Sequence, residues 1–508
     1  MNSSQTAAAL LAVVPLLFAI PAVFPGSSAL GRLVVASQAA LGVVLLAACV
    51  WASGGFAPAD VAPSLGLPGG DPGLRLDGVT LVIAGLVSLI AVPVARYSRS
   101  GFQGDARGPA IARWTAATLA WTTVLVLANH LGVVLLAWAG ASLSVHGLLT
   151  RGSQRPRAQL AAREKFVLSR AAEGLVGVAL AILAWRLGTV TFDGIAAALR
   201  TERGDGWLVV AASAVTLAAV LKTAQLPFHG WLTRIMEAPT PVSALLHAGV
   251  VNVGAVVLLR LAPLLEHAAP ARWLLLAVGC ATAVVAGFAA DAQRSVKTRL
   301  AWSTVSQMGF MLVQCGLGAW PLVLLHLVAH SCYKAHAFLS AGSAIDREES
   351  LAFARPRRGL GMGPRLLGAA VGIVAALGVG GWIGLVHWTE PGEVAIGVVA
   401  GLGIATLLVE TAARGAASRG VVGAAMVLGA LVVAHAAFGG LLRPGATGPV
   451  AAAVLSATFA GAWVLRAHLD VSPDGGLARR LRGHLLGGFH LDHPLLALLS
   501  PRRTGDLA

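Results

Sequence analysis

The chain has 508 residues, of which 57% are hydrophobic and only 12% charged, with a mean hydropathy of +0.79. So little polar surface excludes a water-soluble globular protein of this length. The net charge of +15 raises nucleic acid as a partner, and the distribution of the arginines decides against it.

Fifteen apolar segments recur from end to end, most near the roughly 20 residues that cross a hydrocarbon core. They run over about 6–24, 29–51, 76–96, 114–128, 130–150, 171–187, 206–224, 241–262, 273–290, 299–318, 320–343, 366–387, 393–413, 418–440 and 447–466. The expected fold is all-α, a polytopic membrane bundle of about fifteen transmembrane helices, with 1–508 as a single membrane domain. The first segment, MNSSQTAAALLAVVPLLF, lacks the basic start of a secretory signal, and further spans follow at once. It is read as the first helix. With the N-terminus outside and the C-terminus inside, the basic stretches 96–113, 151–170, 344–365 and 466–503 all fall on the inner side. Only scattered arginines, such as Arg75, Arg186 and Arg272, fall outside. That asymmetry is the positive-inside rule of a cell inner (plasma) membrane protein, and it accounts for the basic balance.

Of the 37 basic residues, 33 are arginine and four are lysine. Arginine stays protonated at any biological pH, whereas a buried lysine can release its proton. Lys165 falls in a basic inside loop, but Lys222, Lys297 and Lys334 lie in or beside apolar spans, where a titrating role is expected. Lys297, near a span end, could instead snorkel toward the interface.

In chain order, Glu173 follows Arg170 in the sixth span, where an ion pair with Arg170 is the plain reading. Lys222 lies in AAVLKTAQLPFHGWL, five residues before Pro227, which predicts a broken helix at membrane depth. The next span opens at Pro239 and Pro241 and carries His247 one to two turns inside. Intramembrane ionisable groups are costly and functional by default. His326, His330 and Lys334 recur every fourth residue and share one helix face. The row suits a proton relay, because neutral imidazole both donates and accepts. Polar packing and a metal site are the alternatives, but no HExxH occurs and Lys334 on the same face would repel a cation. The four cysteines (Cys49, Cys280, Cys315, Cys332) show no ligand spacing, and no GxxxxGK[ST] occurs, so neither zinc nor ATP is expected.

The stretches KTAQLPFHGWLTRIMEAPTPVSALLHAGVVNVG, VKTRLAWSTVSQMGFM and HLVAHSCYKAHAFL resemble the proton-translocating antiporter-like superfamily. That superfamily includes the large membrane subunits of respiratory complex I, the Mrp antiporters and the membrane subunits of Dab inorganic-carbon transporters. The resemblance is strongest over 200–345, and SLSVHGLLTRGSQRPRAQLAAREKFVLSRAAEG is most similar to the Dab type. It implies inverted repeats and a proton path through Lys222, Glu173, His247, Lys297, His326, His330 and Lys334. It also implies a large peripheral partner, similar to a β-type carbonic anhydrase, that carries the zinc, with no cofactor in this chain. Two departures stand out. Ala139 occupies the fifth-span position where complex I subunits carry a glutamate, so Glu173 is expected to serve as counter-ion of Lys222. The second broken helix, AALGVGGWIGLVHWTE, has glycines (Gly378, Gly380, Gly381) at its expected break but no lysine, leaving His387 and Glu410 as peripheral titratable groups.

Overall fold

The computed structural model describes residues 2–24, 26–56, 59–61, 73–152, 156–201, 205–342, 360–384, 386, 388–413, 415–438, 441–442, 445, 447–473 and 475–492. Its helices are α1 (Ser3–Val23), α2 (Ala29–Ser53), α3 (Gly78–Gly101), α4 (Gly108–Leu127), α5 (Leu131–Gly152), α6 (Pro156–Leu187) and α7 (Phe192–Ala198). There follow α8 (Gly206–Lys222), α9 (Gly230–Arg234), α10 (Thr240–Ala248), α11 (Val253–Arg260), α12 (Ala262–Glu266), α13 (Ala269–Ala292), α14 (Val296–Gly316) and α15 (Trp320–Leu339). The last five are α16 (Met362–Trp382), α17 (Pro391–Ala413), α18 (Ala417–Phe438), α19 (Pro449–Val471) and α20 (Gly476–Leu486). A short antiparallel pair, β1 (Ala59–Val61) with β2 (Leu74–Leu76), precedes α3.

Each of the fifteen expected spans coincides with a helix or a broken helix, and the protein is an all-α polytopic membrane protein. Among the described residues, twelve spans are long and apolar enough to cross a membrane. The other three are α8, α18 and α14, the last of which opens on Lys297 and Arg299.

Two compact units form: Met1–Ala271 with Leu327–Leu339 and Leu491–Ala508, and Arg272–His326 with Ser340–His490. In the first unit α8 buries Ala211, Ala212, Ala214, Ala218 and Ala219. Small side chains let helices approach closely where lipid supplies no hydrophobic drive. Large apolar side chains such as Leu16, Val35, Leu136 and Trp185 are exposed, as a hydrocarbon solvent permits. In the second unit a core of Leu276, Val313, Leu317, Ala395 and Leu455 joins α13, α14, α17 and α19.

Three expectations need correction. The sixth span begins at Pro156 and not at 171, so Lys165 is helical and buried, not in a loop. The span 241–262 is interrupted: α10 ends at Ala248, a 3-10 turn covers Val250–Asn252, and α11 resumes at Val253. Conversely, α16 runs unbroken through Gly378, Gly380 and Gly381. There a Cβ on Gly380 would stand 2.7 Å from Val386, and one on Gly381 3.0 Å from Trp388. These two glycines make room for the returning chain and do not break the helix.

Candidate functional site

Among the described residues, the sequence-predicted titratable groups of the first unit gather in two clusters, each at a helix break. The first forms where α8 ends. Thr223 caps the helix through its amide to Ala219 O (2.8 Å), Ala224 takes a left-handed φ of 54°, and the chain turns through Gln225 to Pro227. An alanine in that region is unfavourable, and the turn is held by Gln225 Nε2 to Thr223 O (2.9 Å) and Phe228 N to Gln225 O (2.6 Å). Gly254 of α11 lets the following span approach, since a Cβ there would meet Thr223 Cγ2 at 2.7 Å. Lys222, the last residue of α8, is buried. Its Nζ lies 5.1 Å from the ring centre of Trp138 and, among the described residues, has no hydrogen-bond partner. The sequence-predicted break is therefore present, with the ammonium resting on an aromatic face.

Around Lys222 the charges that act on it are Lys165, Glu173 and Arg170, all from α6. Glu173 does not pair directly with Lys222. Its Oε1 accepts a hydrogen bond from Arg170 Nη2 at 2.7 Å, the ion pair favoured by their i, i+3 spacing. Lys165 was missed as a site residue. It is fully enclosed, and its Nζ donates to Ser142 O (3.0 Å) and Ser142 Oγ (3.1 Å), one turn beyond Ala139 on α5. The signal that could have found it is the lysine itself, in a chain that otherwise uses arginine.

The second cluster forms where α10 ends. A helix terminus leaves carbonyl oxygens without partners, and at membrane depth these must be satisfied by protein or water. His330 of α15 donates through Nε2 to the His247 carbonyl at 3.1 Å, and Asn252 Nδ2 donates to the Ala248 carbonyl at 3.0 Å. Asn252 Nδ2 also donates to Ser331 Oγ at 2.8 Å. His247 is enclosed and stacks on Phe338 at 4.5 Å, and among the described residues neither ring nitrogen has a hydrogen-bond partner. Lys334 is buried, and its charge acts on His247. The structure thus brings Lys222, Glu173, His247, His330 and Lys334 into one unit, as two groups.

The remaining predicted residues lie in the second unit. His326 places Nδ1 2.9 Å from Gln314 Oε1, with Phe310 beside its ring. Lys297 is half-buried in the first turn of α14. Glu410 is half-exposed and pairs with Arg466 at 3.1 Å. His387, and most of the basic stretch 344–365, lie outside the described residues.

Chemically, these groups can hold and pass protons. Each imidazole offers a donor and an acceptor, and Lys165 and Lys222 are buried beside other charges.

Over 270 residues the chain is 46% identical to the "Probable inorganic carbon transporter subunit DabB" of Hydrogenovibrio crunogenus, covering 53% of this chain and 52% of that one. It is 34% identical over 275 residues to "NADH-quinone oxidoreductase subunit L" of Escherichia coli, covering 54% and 45%. The chain spans about half the length of the curated relatives it matches. Its fold superposes on a chain of the Mrp complex from Dietzia sp. DQ12-45-1b with a TM-score of 0.58 at 23% identity, covering 98% of this chain and 57% of that one. Residues 128–387, just over half the chain, match the family described as NADH:quinone oxidoreductase/Mrp antiporter, TM. The chain belongs to that family.

Proposed function

We propose that this protein is the membrane subunit of an energy-coupled inorganic-carbon transporter, conducting protons, or another cation, to drive accumulation of CO2 or bicarbonate. The observation that carries the conduction is Lys222, a buried amine at a break in its own helix, without a hydrogen-bond partner among the described residues. The proposed route uses Glu173, Lys222, His247, Lys297, His326, His330 and Lys334, with Lys165 added. The likeness to the Hydrogenovibrio subunit supports carbon as the coupled substrate. CO2 hydration is assigned to a large peripheral carbonic-anhydrase-like partner bearing the zinc, and this chain to ion translocation without cofactor or catalysis. The protein sits in the cell inner (plasma) membrane, N-terminus outside and C-terminus inside.

A second reading, a proton-translocating subunit of a complex I-type, hydrogenase or Mrp assembly, is favoured by the likeness to the Escherichia coli subunit. The test is expression with and without the partner's gene in cells that need added CO2. Growth restored only by the pair, and lost with Lys222→Ala, supports carbon transport. Failure to restore growth, with cation–proton exchange in vesicles of this chain's own assembly, supports the second reading.

A further inference from the structure

Glu164 and Lys165 are consecutive on α6 and point about 100° apart. Lys165 faces Ser142, whereas Glu164 is fully enclosed and bonds Arg234 Nη2 through Oε2. The other terminal nitrogen of Arg234, Nη1, bonds Asp492 Oδ2, from a segment 258 residues further along the chain. Asp492 and Arg234 both act on His229, which is buried at the entrance to α9, just past the break that follows Lys222. The cluster is built for close contact, because a Cβ on Gly230 would overlap the Arg234 guanidinium and lie 2.7 Å from Asp492 Oδ2.

Among the described residues, the charges in this enclosure do not balance. Two carboxylates face one guanidinium, leaving one excess negative charge among groups that are 0%, 16% and 12% exposed. A buried net charge is costly, and binding one proton removes it. The Trp231 backbone also bonds the Glu164 carboxyl, but among the described residues its enclosed Oε1 has no hydrogen-bond partner, so an oxygen is available to take that proton. Burial pushes the Asp492 carboxyl up, but the bond and charge of Arg234 outweigh it and hold Asp492 below its usual range. The proton therefore belongs on Glu164 or His229.

We propose that Glu164, His229, Arg234 and Asp492 form an additional proton-binding site beside the Lys222 break, completed by Asp492 from far along the chain. It rests on the proton-conduction reading for its role, though not for its existence. The site takes up one proton from water and releases the same proton, with no other bond made or broken.

Difference infrared spectroscopy of the full chain in lipid, over a pH series, tests the site, and proton flux in vesicles of the same preparations tests the conduction. A titrating carboxylic-acid band that vanishes in Glu164→Gln, or a titrating imidazole signal that vanishes in His229→Gln, supports the site. Asp492→Asn removes one negative charge and should move that titration to lower pH by about one unit. Titration spectra unchanged in all three variants would overturn the site. Absence of flux in the wild type together with the expected spectra would defeat the conduction reading and leave the site standing.

Discussion

His330 Nε2 donates its hydrogen to the carbonyl oxygen of His247, 3.1 Å away, across 83 residues of sequence. A carbonyl only accepts, so the neutral ring carries its hydrogen on Nε2 and leaves Nδ1 as the acceptor. One side chain thereby closes the backbone at a helix break and takes a defined tautomer in the proposed relay.

These two roles separate by substitution. His330→Gln can retain a donor to the His247 carbonyl but cannot titrate, so it should fold normally and lose proton flux. His330→Ala should lose flux and also stability, by about 1–3 kcal/mol for the orphaned carbonyl. Thermal unfolding in detergent, run beside vesicle flux, reads both effects. Equal stability of the two variants would show that the break does not depend on His330.

Lys222→Ala and Lys222→Met should abolish flux, and Lys222→Arg should not restore it, because arginine offers no reachable deprotonated state. Since Lys222 Nζ has no hydrogen-bond partner among the described residues, removing its charge should leave thermal stability unchanged or raised, unlike the breaking of a buried ion pair. Full activity of the arginine variant would mean that the site needs only positive charge.

Lys165→Met should reduce flux nearly as far as Lys222→Ala, and Ser142→Ala, which keeps the backbone acceptor, should have a smaller effect. Wild-type flux in Lys165→Met would return Lys165 to a purely structural place on Ser142.

Glu410→Ala should retain most of the flux. Its carboxylate is half-exposed and paired with Arg466, and an ion path normally shows a charge enclosed near the bilayer centre. Damage as severe as that from Lys222→Ala would place Glu410 in the conducting route.

Asp77 caps α3 through Thr80 N at 2.7 Å and pairs with Arg260 at 2.6 Å and Arg75 at 2.7 Å. Burial raises its carboxyl, but the two arginines outweigh burial and hold it well below the usual carboxylate range. A depressed folded value means stability that is present above the unfolded-state value near about 4 and lost as pH falls toward the folded one. Asp77→Asn should cost about 1–3 kcal/mol at neutral pH. Melting curves of wild type and variant should converge as the pH drops below about 4. A gap that stays constant over that range would show that the charge of Asp77 does not matter.

The sequence exposes most of this fold because hydrocarbon-length apolar runs and a proline after Lys222 are local signals. The break after Ala248 is not local. VVNVG contains no proline, and the partners of its freed carbonyls include His330, far along the chain. Lys165 was hidden by its neighbours: Arg151, Arg155, Arg157, Arg163 and Arg170 make the stretch look like a loop, yet a helix from Pro156 turns Glu164 and Lys165 inward. The glycines of α16 mislead in the opposite sense, since absent side chains serve close packing as often as they end a helix. Asp492 could not be assigned from sequence at all, because its role is defined only by Arg234 and His229.

The adjacency of Glu164 and Lys165 makes α6 sensitive to chain length as well as to composition. Inserting or deleting one residue between Lys165 and Glu173 would rotate one part of the helix by about 100° and shift it by about 1.5 Å relative to the other. Arg170 and Glu173 would then lose their alignment with Lys165, or Glu164 would turn away from Arg234. Natural relatives that keep both arrangements should therefore vary freely in residue type along the lipid-facing side of this helix while showing no indels between positions 164 and 173.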